Sequence, residues 1–112
     1  MWFLCLTEFI GAFSIAFFGS LAAKTAAQLY PNSKFWRAAA AGFVVFLVIW
    51  IVLMIGGNAL FNPAAAVMHG MKIKLPQYQI GMCIAAQLLG FFLGWAAFRL
   101  LCPSVFSKQG CL

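Results

Sequence analysis

Apolar residues fill this chain in three long runs, and the polar positions between them mark where it turns. The first run, Trp2 to Ala23, is interrupted only by Thr7, Glu8, Ser14 and Ser20. As a helix it would reach roughly 33 Å, enough to cross a hydrocarbon core of ~30 Å. Its small residues (Gly11, Ala12, Ser14, Ala16, Gly19) recur at spacings of three or four, which predicts a face where another helix backbone approaches closely. A polar link follows from Lys24 to Arg37, with a turn at Pro31-Asn32-Ser33. Tyr30 and Trp36 suit the headgroup level. The second run, Ala38 to about Ile55, carries no charge; it starts small (Ala38 to Gly42) and ends bulky (Phe46, Trp50, Met54). The third runs from about Tyr78 to Leu101, with Arg99 in its last turn and Pro103 just beyond.

The segment between the second and third runs is too short to cross a bilayer. Gly56 and Gly57 let the chain turn out of the second run. Asn62 is a good N-cap, Pro63 suits the first helical position, and Ala64 to Gly70 favour a short helix. From Pro63 to Met71 that helix would be roughly 13 Å long, about half of the hydrocarbon core. Half-helices at membrane depth are tolerated only where protein or a water-filled cavity receives them. Lys72 and Lys74 return the chain to an interface, and Pro76 restarts it. The expected architecture is an all-α membrane protein of one domain over residues 1–112. Three transmembrane helices (about 2–23, 38–55, 78–101) flank one re-entrant segment, 56–71.

Composition sharpens this picture. The chain is 66% hydrophobic and only 7% charged, against about 25% in soluble domains, which leaves no separate soluble domain. Seven basic residues face one acid, Glu8. The cations are scattered at helix ends and links, so interfacial anchoring explains them better than nucleic acid does. The start, Met1-Trp2-Phe3, lacks the basic region of a cleavable signal peptide, and Gly110-Cys111-Leu112 is not a prenylation box. The four cysteines (Cys5, Cys83, Cys102, Cys111) show no metal-ligand spacing; they read as free thiols, with a Cys102–Cys111 disulfide as the alternative. No cofactor motif, metal cluster or nucleophile–base pair is evident, which argues against an enzyme.

Polar residues inside apolar spans are the candidate chemistry. Asn62 can cap the half-helix with its oxygen and donate its amide hydrogens to a passing water or hydroxyl oxygen. The alternative is a cap on a buried half-helix with no open path. Glu8 lies about two turns inside the first span; an intramembrane ionisable residue is a functional-site candidate by default. The simplest role is a carboxylate accepting hydrogen bonds from amides of the 56–62 turn, with a snorkelling acid or transport chemistry as alternatives. Gln87 reads as a partner for turn backbone or a neighbouring helix, with solute contact as the alternative. His69, toward the outer end of the half-helix, reads either as a pH gate or as a locally satisfied histidine. Phe46 and Trp50 read as packing or lipid contacts, or as groups that line or block a path.

Several of these motifs, in order and at the right separations, resemble one repeat of an aquaporin, a member of the major intrinsic protein family. Thr7-Glu8-Phe9-Ile10-Gly11-Ala12-Phe13 resembles the first-helix motif, and Phe17-Phe18-Gly19 follows it. Asn62-Pro63-Ala64 matches the signature tripeptide, and Ala86-Gln87-Leu88-Leu89-Gly90 resembles the third-helix motif. The resemblance reaches to about Leu101 and implies that Glu8 braces the re-entrant loop. It covers half of the family pattern: aquaporins hold two such repeats in inverted orientation and usually form tetramers. A chain with one repeat is a natural half-protein, a fragment, or the descendant of a truncated gene. Gly57-Asn58-Ala59-Leu60 departs from the usual Ser-Gly-Ala-His, and Ala65-Ala66 from the usual Val-Thr. Second repeats carry an arginine directly after the tripeptide; here that position is Ala65.

Lys24, Lys34, Arg37, Arg99 and Lys108 fall on one side of the expected topology and Lys72 and Lys74 on the other, which favours an external N-terminus. A pore made of two copies would need both orientations. Two functions stay open. The first is a channel half-unit for water or small neutral solutes, forming a pore with a second copy or a complementary half-repeat. The second is a non-conducting aquaporin-derived subunit of a larger membrane complex. Lipid is a partner in either case, and nucleic acid in neither.

Overall fold

A computed structural model of the chain describes residues 2–57 and 60–101. Four helices follow one another: α1 (Trp2–Leu29), α2 (Lys34–Met54), α3 (Pro63–Lys72) and α4 (Gln77–Leu101). The described residues contain no strand. Helices α1, α2 and α4 are long and apolar enough to cross a membrane, whereas α3 has only 10 residues, roughly 15 Å. Asn58 and Ala59 of the turn, Cys102, Cys111, Lys108 and the tail lie outside the described residues.

The helix ends differ from the ends of the apolar runs. Helix α1 continues through Lys24 to Leu29, and α2 already begins at Lys34, so the connection is far shorter than the Lys24–Arg37 link expected. The reason is local. Ala22 to Leu29 are mostly good helix formers, and Thr25 satisfies its hydroxyl on the Leu21 carbonyl at 2.9 Å. Ala26 and Ala27 are buried, and Lys24 is buried as well instead of standing free at an interface. The turn itself falls at Pro31–Ser33, where the Ser33 hydroxyl caps α2 by accepting from the Trp36 amide.

Packing centres on α1. Helix α4 lies along it in parallel: Gly90 sits under Phe9 and Gly94 under Phe13, and a Cβ at either glycine would come within 2.5 Å of the carbonyl oxygen above it. Ala12 and Ala16 face the same two glycines, so small residues on both helices bring the backbones together. Further along, Phe98 is buried with its ring edge-on to Phe17 at 6.4 Å. A Cβ at Gly19 of the expected small face, by contrast, would meet nothing within 4 Å.

Helix α2 packs on α1, with Val52 as its buried residue. Phe43, Phe46, Trp50 and Met54 are exposed on it, as expected of surfaces that meet lipid or another protein. Helix α3 rests on α4, where Ile80 fills the space beside Gly70.

Candidate functional site

Two similar turns position α3. At the end of α2, the Gly57 amide bonds the Val52 carbonyl at 2.9 Å and the Gly56 amide bonds Leu53 at 3.1 Å. This is a Schellman cap, and Gly56 takes its left-handed position with φ +86°. Gly57 is needed for room: a Cβ there would meet Val52 Cγ1 at 2.9 Å and Thr7 at 3.1 Å. At the end of α3 the same pattern recurs, with the Leu75 amide on Gly70 at 2.8 Å and Lys74 on Met71 at 3.4 Å. Here the left-handed position, φ +56°, belongs to Lys74.

Asn62 begins α3 with extended backbone, φ −150° and ψ 126°. Its Oδ1 accepts from the Ala64 amide at 2.9 Å, and its carbonyl accepts from Ala66 at 2.9 Å. Pro63, with no N–H to leave unsatisfied, takes the first helical position. Asn62 and Ala64 are exposed, and no described residue accepts from the Asn62 Nδ2. The positive end of the α3 dipole and this free donor therefore share one open place.

Glu8 holds the strand of chain that leads into Asn62. Its side chain is 1% exposed. Oε1 accepts from the Leu60 amide at 3.2 Å; Oε2 accepts from the Phe61 amide at 2.9 Å and from Gln87 Nε2 at 3.0 Å. Two of these donors are backbone amides that no helix or sheet satisfies, so one carboxyl from α1 resolves an otherwise costly stretch inside the membrane. Gln87, wholly buried on α4, completes the link between three elements, while its own Oε1 has no partner. Phe61 sits at φ +48°, unusual for an aromatic residue, and its buried ring covers Gly11. The hydrogen bonds to Glu8 and the fit over Gly11 offset the strain.

His69 is half-buried on α3. It lines a small cavity of about 20 Å³ with Glu8, Leu60, Ala66, Ile80 and Cys83, behind the loop and not at its open face. Cys5 and Cys83 are free thiols, both half-buried. The described residues hold no group of three or more His, Cys, Asp or Glu placed to bind a metal. Phe46 and Trp50 stack edge-to-face at 5.5 Å on the outer side of α2, away from Glu8 and Gln87. The structure thus brings Glu8, Gln87, Gly56, Gly57 and the tripeptide around one loop and sets His69 at its back.

Thr7, Phe61 and Lys74 also shape the site; the sequence alone places Thr7 only in the first-helix motif and Lys74 only at an interface, and gives Phe61 no role. Thr7 is buried, with its hydroxyl on the Leu4 carbonyl at 2.9 Å and its side chain against Gly57. The polar Thr7 beside Glu8 in an apolar run was a usable signal. The left-handed backbone of Phe61 and Lys74 had none.

Residues 1–111 match the family described as Major intrinsic protein. No curated protein and no solved structure matches the chain.

Proposed function

We infer the function from one premise: the chain belongs to the major intrinsic protein family. It is an integral, multi-pass membrane protein of the aquaporin-like channel type. Its finer role is that of a half-unit for water or small neutral solutes, forming a pore only with another half-repeat. The observation that carries this reading is the open N-terminus of α3, where Asn62 caps a helix of only 10 residues and keeps a free amide donor.

A second half-helix meeting α3 end to end would complete the crossing. The two positive ends would orient a water file oppositely on either side of the junction and repel cations, protons included. Asn62 Nδ2 would donate to the oxygen passing between them. The partner is an antiparallel second copy or a different half-repeat that carries the constriction arginine. Glu8, Gln87, Gly56 and Gly57 serve this site by holding the loop, and no catalytic group or cofactor enters. His69, which lines the inner cavity with Glu8 and Leu60, is the candidate gate of the loop.

One observation favours a non-conducting subunit of a larger complex. Ala65 stands where second repeats have arginine, so a pore of this chain alone would lack that selectivity group.

Stopped-flow osmotic shrinkage of liposomes separates the readings. The purified chain is compared with bare lipid and with an Asn62→Asp, Ala64→Trp double variant. Permeability well above bare lipid, abolished in the variant, is the result expected of self-paired half-units. Permeability equal to bare lipid with the chain folded would rule out self-sufficient conduction.

A further inference from the structure

Between α1 and α2, near the turn that joins them, lies an open groove of about 630 Å³. That is within the roughly 300–1,000 Å³ of sites that hold small molecules. Ala22 and Ala26 give it depth on one side, and Ala39 and Ala40 on the other. Its walls are almost wholly apolar, and the Thr25 hydroxyl among them is already bonded to Leu21. Tyr30 and Trp36 stand at the turn end of the groove, stacked 5.4 Å apart. Such a pair suits the level where acyl chain gives way to headgroup.

The turn end is also positive. Lys34 and Arg37 flank Trp36 in the first turns of α2, at the positive end of its dipole. The chain has one acid, Glu8, and its carboxyl is committed to Leu60, Phe61 and Gln87. No described carboxylate is therefore left to neutralise Lys34 and Arg37. The Arg37 Nε is itself buried without a hydrogen-bond partner, a donor that lacks its acceptor.

We propose that this groove is a binding site for one anionic phospholipid, with an acyl chain between α1 and α2 and the phosphodiester on Arg37 and Lys34. Guanidinium and phosphate form strong charge-assisted hydrogen bonds, and basic pockets between membrane helices select anionic headgroups. A second copy packed in parallel fits the groove less well, because it would bring its own Lys34 and Arg37 to the same level.

The test is competitive retention, read by native mass spectrometry of the full purified chain. Phosphatidylglycerol and phosphatidylcholine with identical acyl chains are offered in equal amounts. Two cations at the headgroup give a preference on the order of tenfold for the anionic lipid. The Lys34→Gln, Arg37→Gln variant is expected to lose the preference while still retaining the neutral lipid. A Lys34→Arg, Arg37→Lys variant keeps the charge, so it should keep most of the preference and controls for misfolding. Filling the groove by Ala40→Trp is expected to release both lipids, with helicity by circular dichroism unchanged. Equal retention of the two lipids by the unaltered chain would overturn the proposal. So would a preference that survives the loss of both cations, or an Ala40→Cys cross-linked dimer that phosphatidylglycerol does not compete away.

Discussion

Replacing Glu8 by Gln keeps one acceptor oxygen and puts an amide in place of the other. At least one of the donors from Leu60, Phe61 and Gln87 then faces another donor. A buried hydrogen bond to a charged group contributes about 1.5–3 kcal/mol, so Glu8→Gln is expected to lower stability by about 2 kcal/mol in detergent melting. Asn62→Asp separates two roles of one residue. It keeps the oxygen that caps Ala64 and removes the Nδ2 donor, so the melting point should hold within about 0.5 kcal/mol while any osmotic permeability falls. Asn62→Ala should cost about 1 kcal/mol as well. The left-handed pair gives a third test. Gly56→Ala should destabilise by about 1–2 kcal/mol, and Lys74→Gly should stabilise by about 1 kcal/mol, both read in the same melting experiment. Part of this site was legible because a polar residue in an apolar run needs a partner: Glu8, Gln87 and Asn62 announce that need by composition. The sequence pointed Glu8 to amides of the 56–62 turn and the Asn62 oxygen to the half-helix, where the structure has them; the partner of Gln87 was not legible. Nothing in the letters says that Gln87 meets the Glu8 carboxyl rather than a backbone group, or that Phe61 turns left-handed.

Among the elements, the glycines of α4 are not equivalent. Gly94 lies against the Phe13 carbonyl and Ala16, whereas a Cβ at Gly81 would meet nothing within 4 Å. Gly94→Leu is expected to force α1 and α4 apart and cost at least about 1–3 kcal/mol. Gly81→Ala should be neutral or stabilising by a few tenths of a kcal/mol, and thermal melting of the two variants checks both. The existence of the three long helices was plain from the sequence, since only such runs satisfy both lipid and backbone. Their ends were not. Hydropathy reports where a side chain prefers lipid, but a helix stops where its capping and backbone change. Lys24 ends an apolar run without ending α1, because the alanines around it continue the helix as far as the turn at Pro31.

For the whole molecule the question is which way it enters the membrane. The parallel α1 and α4 put Lys24 and Arg99 at one end, where α2 starts with Lys34 and Arg37; Lys72 and Lys74 follow from α3. A pore of two antiparallel copies requires insertion both ways. In a cysteine-free background, Lys34→Cys and Lys72→Cys would then each react with an impermeant thiol reagent from either side. Reaction of each from a single side is the outcome expected if a differently made half-repeat completes the pore. The Glu8 brace has a further consequence, in time. Its partners at Leu60, Phe61 and Gln87 lie 52, 53 and 79 positions later in the chain. At about 5–20 residues per second, a ribosome delivers Gln87 roughly 4–16 s after Glu8. Leu60 and Phe61 arrive roughly 3–11 s after Glu8, so the carboxyl of the nascent first helix lacks all three partners at first and lacks Gln87 to the end of the interval. Closure is therefore late: α1 depends on α4, and a chain stalled before α4 leaves the Glu8 carboxyl without its Gln87 donor.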